Sequence, residues 1–450
     1  MKQISFRDPI GKVYESNNRI YRAINKNKKK FFEKLLSEDW YKTLVNEEKI
    51  QISYWLKDIN NDLNYFNIEH KKFDFPIFPH EMCSEQLYES ALLTLEIAIV
   101  AFKHKIILTD ASAWNVLFDK SKPIFCDITS FEEWKGEKLW FAYGQFCRHY
   151  VIPLILAKYL KTNTANLFLT NRDGINPEDA QHLLGFKTIK SFCALEVITL
   201  PTIFKNKKFI DINLSKKELN EKIFLNTLYR LKKYILNLKP IINKSIWTEY
   251  ENSRKHYSLN DLTIKYNFLN EAFKMIKGSV LDLGCNQGEY SYLAEKNGLK
   301  VIASDFDQNC LNKLQSNINL ENITVCYLDI CQPTPAIGWN NKEHRSFLKR
   351  SNNKFNLVLC LGLLHHLIVA ERIPLNFIFE TISTITNEYA LIEYIDKDDE
   401  KFKEISYFNR DLYSDFTVKV FEKNVLKKFI IIKKVNLEYL KRTLYLIKKI

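Results

Sequence analysis

Two stretches of this chain space reactive residues in patterns that could do chemistry. The first is "LTDASAWNVLFDKSKPIFCDITS" (108–130), where Asp110 is followed five places on by Asn115 and, after two apolar runs and a short turn, by Asp127. That order suits phosphoryl transfer, with one Asp to take a hydroxyl proton and an Asn and a second Asp to hold Mg²⁺. The second is "VLDLGCNQG" (280–288), an apolar run closing on a turn bracketed by Gly284 and Gly288. The next apolar run, "KVIASD", ends in Asp305. Glycines let a backbone approach a nucleotide closely, and an acid ending the second strand can accept hydrogen bonds from two ribose hydroxyls.

The second pattern needs a doubly wound sheet to position it. From about residue 262 the chain alternates between helix-like and strand-like segments, which predicts a parallel sheet with helices on both faces. "EYSYLAEKNG" reads as the helix after the turn, "ITVCYLDI" (323–330) as a third strand reaching Asp329, and "FNLVLCLGLLHHL" (355–367) as a fourth running into a helix. "YALIEYID" (389–396) reads as a fifth strand that places Glu393 near its end. Ligands bind such sheets at the carboxyl ends of the strands, where Asp282, Asp305, Asp329, His365 and Glu393 fall.

These motifs together resemble the class I S-adenosylmethionine-dependent methyltransferases. The resemblance implies a Rossmann-like α/β fold, S-adenosyl-L-methionine as cofactor, and cofactor contacts from Asp282, Gly284, Cys285, Asn286, Gly288, Asp305, Phe306, Asp329, Ile330 and Leu361. The family's usual middle glycine is replaced by Asn286, a residue that tolerates left-handed backbone. His365, His366 and Glu393 are the candidates for contacting the acceptor or removing its proton, and a near-neutral imidazole suits a hydroxyl acceptor. Capping and packing roles for the same side chains stand beside that reading. "LTDASAWNVLFDKSKPIFCDITSFEEW", "LWFAYGQFCRHYVIPLIL", "DICQPTPAIGWNNKEHRSFLKR", "LGLLHHL" and "IEYIDKDDEKF" further resemble the nodulation-protein NoeA-like group, which implies a small-molecule or glycan-type acceptor. Trp339, Glu343 and Arg345, between the third and fourth strands, are candidates to cover the substrate. The preceding segment with Trp247, Tyr250, Tyr257 and Lys265 is expected to close over the cofactor.

The stretch around Asp110 resembles kinase-like phosphotransferases. A hairpin over 11–24, turning at Ser16-Asn17-Asn18, and a helix over 85–103 are where such folds place them. The departures are Leu108 two places before Asp110, Ile128-Thr129 after Asp127, and a hairpin with Gly11 alone; Lys12 and Lys26 are both candidates for the phosphate-facing cation. The three polar residues can equally cap turns. This gives an α+β, helix-rich, kinase-like domain over 1–244, as scaffold or substrate recognition, and a methyltransferase domain over 245–450.

Bulk properties bound the rest. At 450 residues the chain has room for two or three domains. Its net charge of +13 keeps RNA open as a partner, although Lys/Asn-rich composition accounts for it as well. Nine scattered cysteines without a Cys-x-x-Cys pair argue against a disulfide framework or a zinc site, so no metal is expected. No apolar run reaches the ~20 residues of a membrane span and the first residues lack a signal-peptide core, so a cytoplasmic setting is expected. A methyltransferase fold that only binds or scaffolds, or an RNA methyltransferase, is the alternative reading.

Overall fold

The structure is a computed structural model that describes residues 2–5, 7–56, 64–204, 217–245, 247–248, 258–317 and 322–450. The chain divides into two compact units, Met1–Ile241 with Ile337–Glu343, and Ile242–Ala336 with His344–Ile450.

The N-terminal unit opens with an antiparallel sheet of β1 (Lys2–Ser5), β2 (Gly11–Ser16), β3 (Arg19–Asn25), β4 (Ser53–Leu56) and β5 (Tyr65–His70), in the order β1-β2-β3-β5-β4. Asn17 and Asn18 make the β2–β3 turn with φ of 48° and 62°, the left-handed pair that a two-residue hairpin requires. Two helices, α1 (Lys29–Ser37) and α2 (Asp39–Asn46), intervene between β3 and β4. The long helix α3 (Ser84–Lys103) is apolar on nearly every side, so it is buried all round, and Phe102 stacks on Phe224 of α4 (Lys217–Asn237) at 4.2 Å. After α3 come β6 (Ile106–Leu108), the hairpin β7 (Val116–Asp119) and β8 (Lys122–Phe125), and β9 (Phe131–Glu133), which pairs back with β6. Asp110 and Asn115 lie between β6 and β7, and Asp127 follows β8.

In the C-terminal unit, helix α5 (Leu259–Met275) leads into β10 (Ser279–Leu283). Then follow α6 (Glu289–Lys296), β11 (Lys300–Asp305), α7 (Gln308–Gln315), β12 (Ile323–Tyr327), β13 (Phe355–Cys360), α8 (Leu375–Ile385), β14 (Thr386–Ile395), β15 (Phe429–Asn436) and β16 (Arg442–Lys449). The sheet order is β12-β11-β10-β13-β14-β16-β15. The first five strands are parallel and covered on both faces, which is why β13 reads as an unbroken apolar run. The expected parallel sheet is therefore mixed: β16 and β15 add an antiparallel edge. Chain order reverses at β10, flanked by β11 and β13, and that switch point is where such sheets open a crevice.

Strand length moves one expected residue. β12 stops at Tyr327, leaving Asp329 on the loop beyond it. β14 ends at Ile395, so Glu393 stands near its carboxyl end as expected, but its side chain is fully buried. Its carboxylate takes the Lys265 ammonium at 2.7 Å and the Arg442 guanidinium at 3.5 Å, and Arg442 also grips Asp399 at 2.9 and 3.2 Å. All four side chains are almost fully buried, and removing one partner of such a network strands an uncompensated charge. Arg442→Ala is therefore expected to lower the unfolding free energy by about 3 kcal/mol or more in a urea titration, whereas Lys401→Ala, which breaks an exposed pair with Glu404, should change it by less than about 1 kcal/mol.

Candidate active site

A cavity of about 350 Å³ opens at the carboxyl ends of β10, β11, β12 and β13. Gly284 and Asn286 line it from the turn after β10, with Asp305 at the end of β11 and Phe306 just beyond, Asp329 and Ile330 after β12, and Leu361 after β13. The turn takes its shape from three left-handed residues: Gly284 (φ 71°), Asn286 (φ 53°) and Gly288 (φ 87°). Asn286 thus adopts the conformation a glycine would, as its short polar side chain allows. At Gly288 the left-handed φ of 87° favours glycine, and a Cβ there would sit 2.5 Å from a terminal methyl of Leu314 on α7.

Asp305 ties this turn to β11. The Asn286 N–H donates to its Oδ2 at 2.8 Å and the Asp307 N–H to its Oδ1 at 2.9 Å, which leaves lone pairs on each oxygen for a ligand's hydroxyls. Burial pushes its pKa up to about 6 despite these bonds. Asp282 is also raised to about 6 by burial.

The approach segment closes the near side. Asn286 Nδ2 donates to the Trp247 carbonyl and Gln287 Nε2 to the Thr248 carbonyl, both at 2.9 Å. Trp247 lines the cavity and meets His366 edge to face, with ring centroids 5.1 Å apart. Lys265, on α5, also lines it, with its ammonium 4.8 Å above the Tyr290 ring. Tyr250 and Tyr257 lie outside the described residues.

Several expected residues stand elsewhere. Asp282 is not on the cavity wall: it lies beneath the turn and accepts from the Ser291 hydroxyl at 2.6 Å. Gly288 shapes the turn from behind, while Cys285 lines the cavity as expected. Of the two histidines, His366 lines the cavity; His365 is packed away behind it, with its Nδ1 buried and unbonded. Burial, with the Arg442 charge second, lowers His366 to about 4, and burial with the neighbouring His366 holds His365 well below its ordinary value. Glu393 is absent from the wall because Lys265 and Arg442 occupy its carboxylate. Trp339 and Glu343 belong to the N-terminal unit, where Glu343 pairs with Arg7 at 2.6 Å, and neither they nor Arg345 line the cavity. Sequence reasoning missed Glu289, Tyr290, Cys331, Leu367, Ala370 and Glu371 on the wall. The first two open α6, and the start of the helix after a glycine turn is a place to look. The last three sit on or beside a π-helical turn, His366–Ala370, which no periodicity announces.

The lining fits an adenosyl amino acid. A carboxylate faces where ribose hydroxyls would donate, Phe306, Ile330 and Leu361 offer apolar walls for a base, and Glu289 and Lys265, the latter with its ammonium paired to Glu393, also line the cavity. The family comparison points the same way: residues 248–422 match a model described as a methyltransferase domain.

The C-terminal unit is a class I S-adenosylmethionine-dependent methyltransferase.

The similarity of this methyltransferase to a known protein extends over nearly the whole chain. It is 27% identical to nodulation protein NoeA of Rhizobium meliloti (strain 1021) over 455 residues, 98% of this chain and 94% of the relative. Among solved structures, WbdD is 16% identical, with 44% of this chain and 42% of that chain covered at a TM-score of 0.30. A S-adenosylmethionine-dependent methyltransferase from Mesorhizobium loti is 12% identical, with 40% and 96% covered at 0.30.

Asp305 makes the cofactor site pH-sensitive in one direction. Ribose hydroxyls donate to the carboxylate, so binding favours the ionised form. Affinity for S-adenosylhomocysteine measured by isothermal titration should be flat above pH 7 and fall as pH drops through about 6. Asp305→Ala should weaken binding by about 2 kcal/mol at pH 8 and remove that pH dependence.

Proposed function

We propose that the methyltransferase modifies a hydroxyl-bearing small molecule or glycan-type acceptor, with His366 as the proton acceptor. The observation that carries this is the cavity itself: a confined space of about 350 Å³, walled by Trp247, Phe306 and Leu367 and carrying His366, Cys331 and Glu371 as polar groups. S-adenosyl-L-methionine, when bound, supplies a methyl group on a sulfonium centre. The chain's residues then hold the acceptor oxygen in line, exclude water behind the Trp247 indole, and give the departing proton a neutral imidazole. Burial lowers the His366 pKa to about 4, so the imidazole is unprotonated at neutral pH, and it is a weaker base than an imidazole of ordinary pKa. Among the described residues no helix is long and apolar enough to cross a membrane.

For the N-terminal unit we infer a kinase-like fold that serves as scaffold or substrate-recognition module and does not transfer phosphate. The sheet order, the two helices between β3 and β4, and the β7–β8 hairpin between Asn115 and Asp127 support the fold reading. Such folds carry their phosphate-facing cation on the third strand. Here Arg22 on β3 faces Asp127, whereas Lys12 lies over the Tyr65 ring and Lys26 is exposed. Asp127 is saturated: Arg22 Nη1 and the Thr129 hydroxyl donate to Oδ1 at 2.6 Å each, and the Ser130 hydroxyl to Oδ2 at 2.5 Å. Burial alone would raise this carboxyl, but the Arg22 charge and the hydrogen bonds from Ser130 and Thr129 together outweigh it and hold the group below its usual range. Asn115 is drawn in as well, bonded to Asp110 and donating to Ser130 Oγ at 3.4 Å. An internal guanidinium thus takes the place at Asp127 that a divalent cation would need.

Two experiments test these readings. Incubation with methyl-labelled cofactor and cell fractions should label a fraction resistant to protease and nuclease, and His366→Ala should cut the rate by about 100-fold with little change in cofactor affinity. Label appearing in RNA would sink the acceptor reading. Separately, calorimetry should show no Mg²⁺-dependent ATP binding to the wild-type chain, and Asp127→Ala should destabilise the N-terminal unit by about 3 kcal/mol by stranding the Arg22 charge. Mg²⁺-dependent ATP binding lost in Asp127→Ala would restore phosphoryl transfer as a reading.

A further inference from the structure

Asn286 stands where the turn of this family ordinarily has its middle glycine, and it adopts a glycine's conformation, with φ 53°. Glycine would give the same backbone with less strain, so the carboxamide is what the substitution adds. That carboxamide is engaged within the protein. Its Nδ2 donates to the Trp247 carbonyl at 2.9 Å, and its Oδ1 accepts from the Cys310 thiol at 3.7 Å. Gln287, the next residue, reaches the same segment, its Nε2 donating to the Thr248 carbonyl at 2.9 Å. Two adjacent side chains of the turn therefore grip two adjacent carbonyls of the chain that precedes α5.

The gripped chain is locally stiff. The Ser245 N–H donates to Thr248 Oγ1 at 2.8 Å, and the Thr248 N–H donates back to Ser245 Oγ at 3.0 Å. Just upstream, the Asn243 N–H donates to Asn309 Oδ1 at 3.1 Å, near the start of α7. With its backbone held in this way, Trp247 turns its indole to the cavity wall. The ring meets Phe306 edge to face at 6.3 Å and His366 edge to face at 5.1 Å. The indole thus spans from the residue that follows Asp305 to the imidazole on the far side. The two bonds from the turn end on backbone carbonyls, which water satisfies when the chain lifts away. Each is worth little net free energy, so they can open without the sheet beneath unfolding.

We propose that Asn286 is the latch of the cofactor site. With Gln287 it fastens the strap that carries Trp247, and S-adenosyl-L-methionine and its demethylated product enter and leave when these two bonds open. Asn286 is a positioning residue that acts through the indole, and its presence in place of glycine slows exchange of the cofactor. The inference rests on the cofactor lying in this cavity.

The test is the rate at which labelled S-adenosylhomocysteine leaves the full chain after dilution into excess unlabelled ligand, with the association rate and the equilibrium affinity measured beside it. Asn286→Gly keeps the left-handed backbone and removes one latch bond, so it should speed release by about fivefold. A latch must open for entry as well as for exit. The association rate should therefore rise by a similar factor, and the affinity should stay within about twofold of the wild-type value. Gln287→Met leaves the backbone of the turn alone, removes only the donor, and should act in the same direction. In a Trp247→Ala background, where no indole remains to be held, Asn286→Gly should change either rate by less than about twofold. Unchanged rates in both single variants would overturn the latch, while weakened binding in Asp305→Ala would keep the cofactor in this cavity. A weaker affinity with an unchanged association rate would make Asn286 an ordinary binding contact and overturn it too. So would full acceleration by Asn286→Gly in the Trp247→Ala background, since the turn alone would then hold the ligand. Wild-type protein that binds no S-adenosylhomocysteine would overturn the cofactor site and the latch together.

Discussion

The methyltransferase unit depends on one buried carboxylate at the end of β11. Asp305 receives two backbone N–H groups, one from its own strand's exit and one from the turn after β10. That pair of bonds sets the height of the turn above the sheet, and the turn reaches it only by passing through left-handed backbone at Gly284, Asn286 and Gly288. The same turn then holds the Trp247 carbonyl through the Asn286 side chain, so the wall of the cavity is hung from Asp305 as well. A charged group so deeply buried is costly, and its raised pKa reports that cost. Keeping the carboxylate accessible on one side only is what a site for hydroxyl donors requires.

Beneath the cavity a second set of charges does a different job. Lys265, Glu393, Arg442 and Asp399 form a buried chain running from α5 through β14 and β16. Glu393 has the residue type of a catalytic base and the wrong surroundings for one. Its negative charge is the counterion of two cations, and it registers β14 against the antiparallel strand β16. Arg22 and Asp127 repeat this theme in the N-terminal unit. There a pattern associated with metal-dependent chemistry is converted into a closed ion pair with two hydroxyl donors. In both units the residue types alone suggest reactivity, and the structure pairs each carboxylate with a buried cation.

The contrast between His365 and His366 shows how fine this division is. The two are adjacent in sequence and their rings are 4.1 Å apart. A π-helical turn begins at the second of them, sending one imidazole to the cavity and leaving the other behind it. Nothing in the pattern of apolar residues distinguishes them, because the difference comes from one extra residue in a turn.

The sequence by itself determined the elements and the kind of site. Apolar runs of strand length, the glycine-bracketed turn and Asp305 at the end of the next strand depend on local sterics and on the period of the strand, so they are written in the order of residues. The Asn17-Asn18 hairpin and the helix α3 are legible for the same reason. The tertiary structure decided which polar groups are available. Burial and pairing are set by residues far away in the chain: Glu393 by Lys265, 128 positions off, Asp127 by Arg22, 105 positions off, and Glu343 by Arg7, 336 positions off. No local rule reaches that far. A carboxylate's chemistry depends on its dielectric and its counterion, and both are properties of the packed molecule.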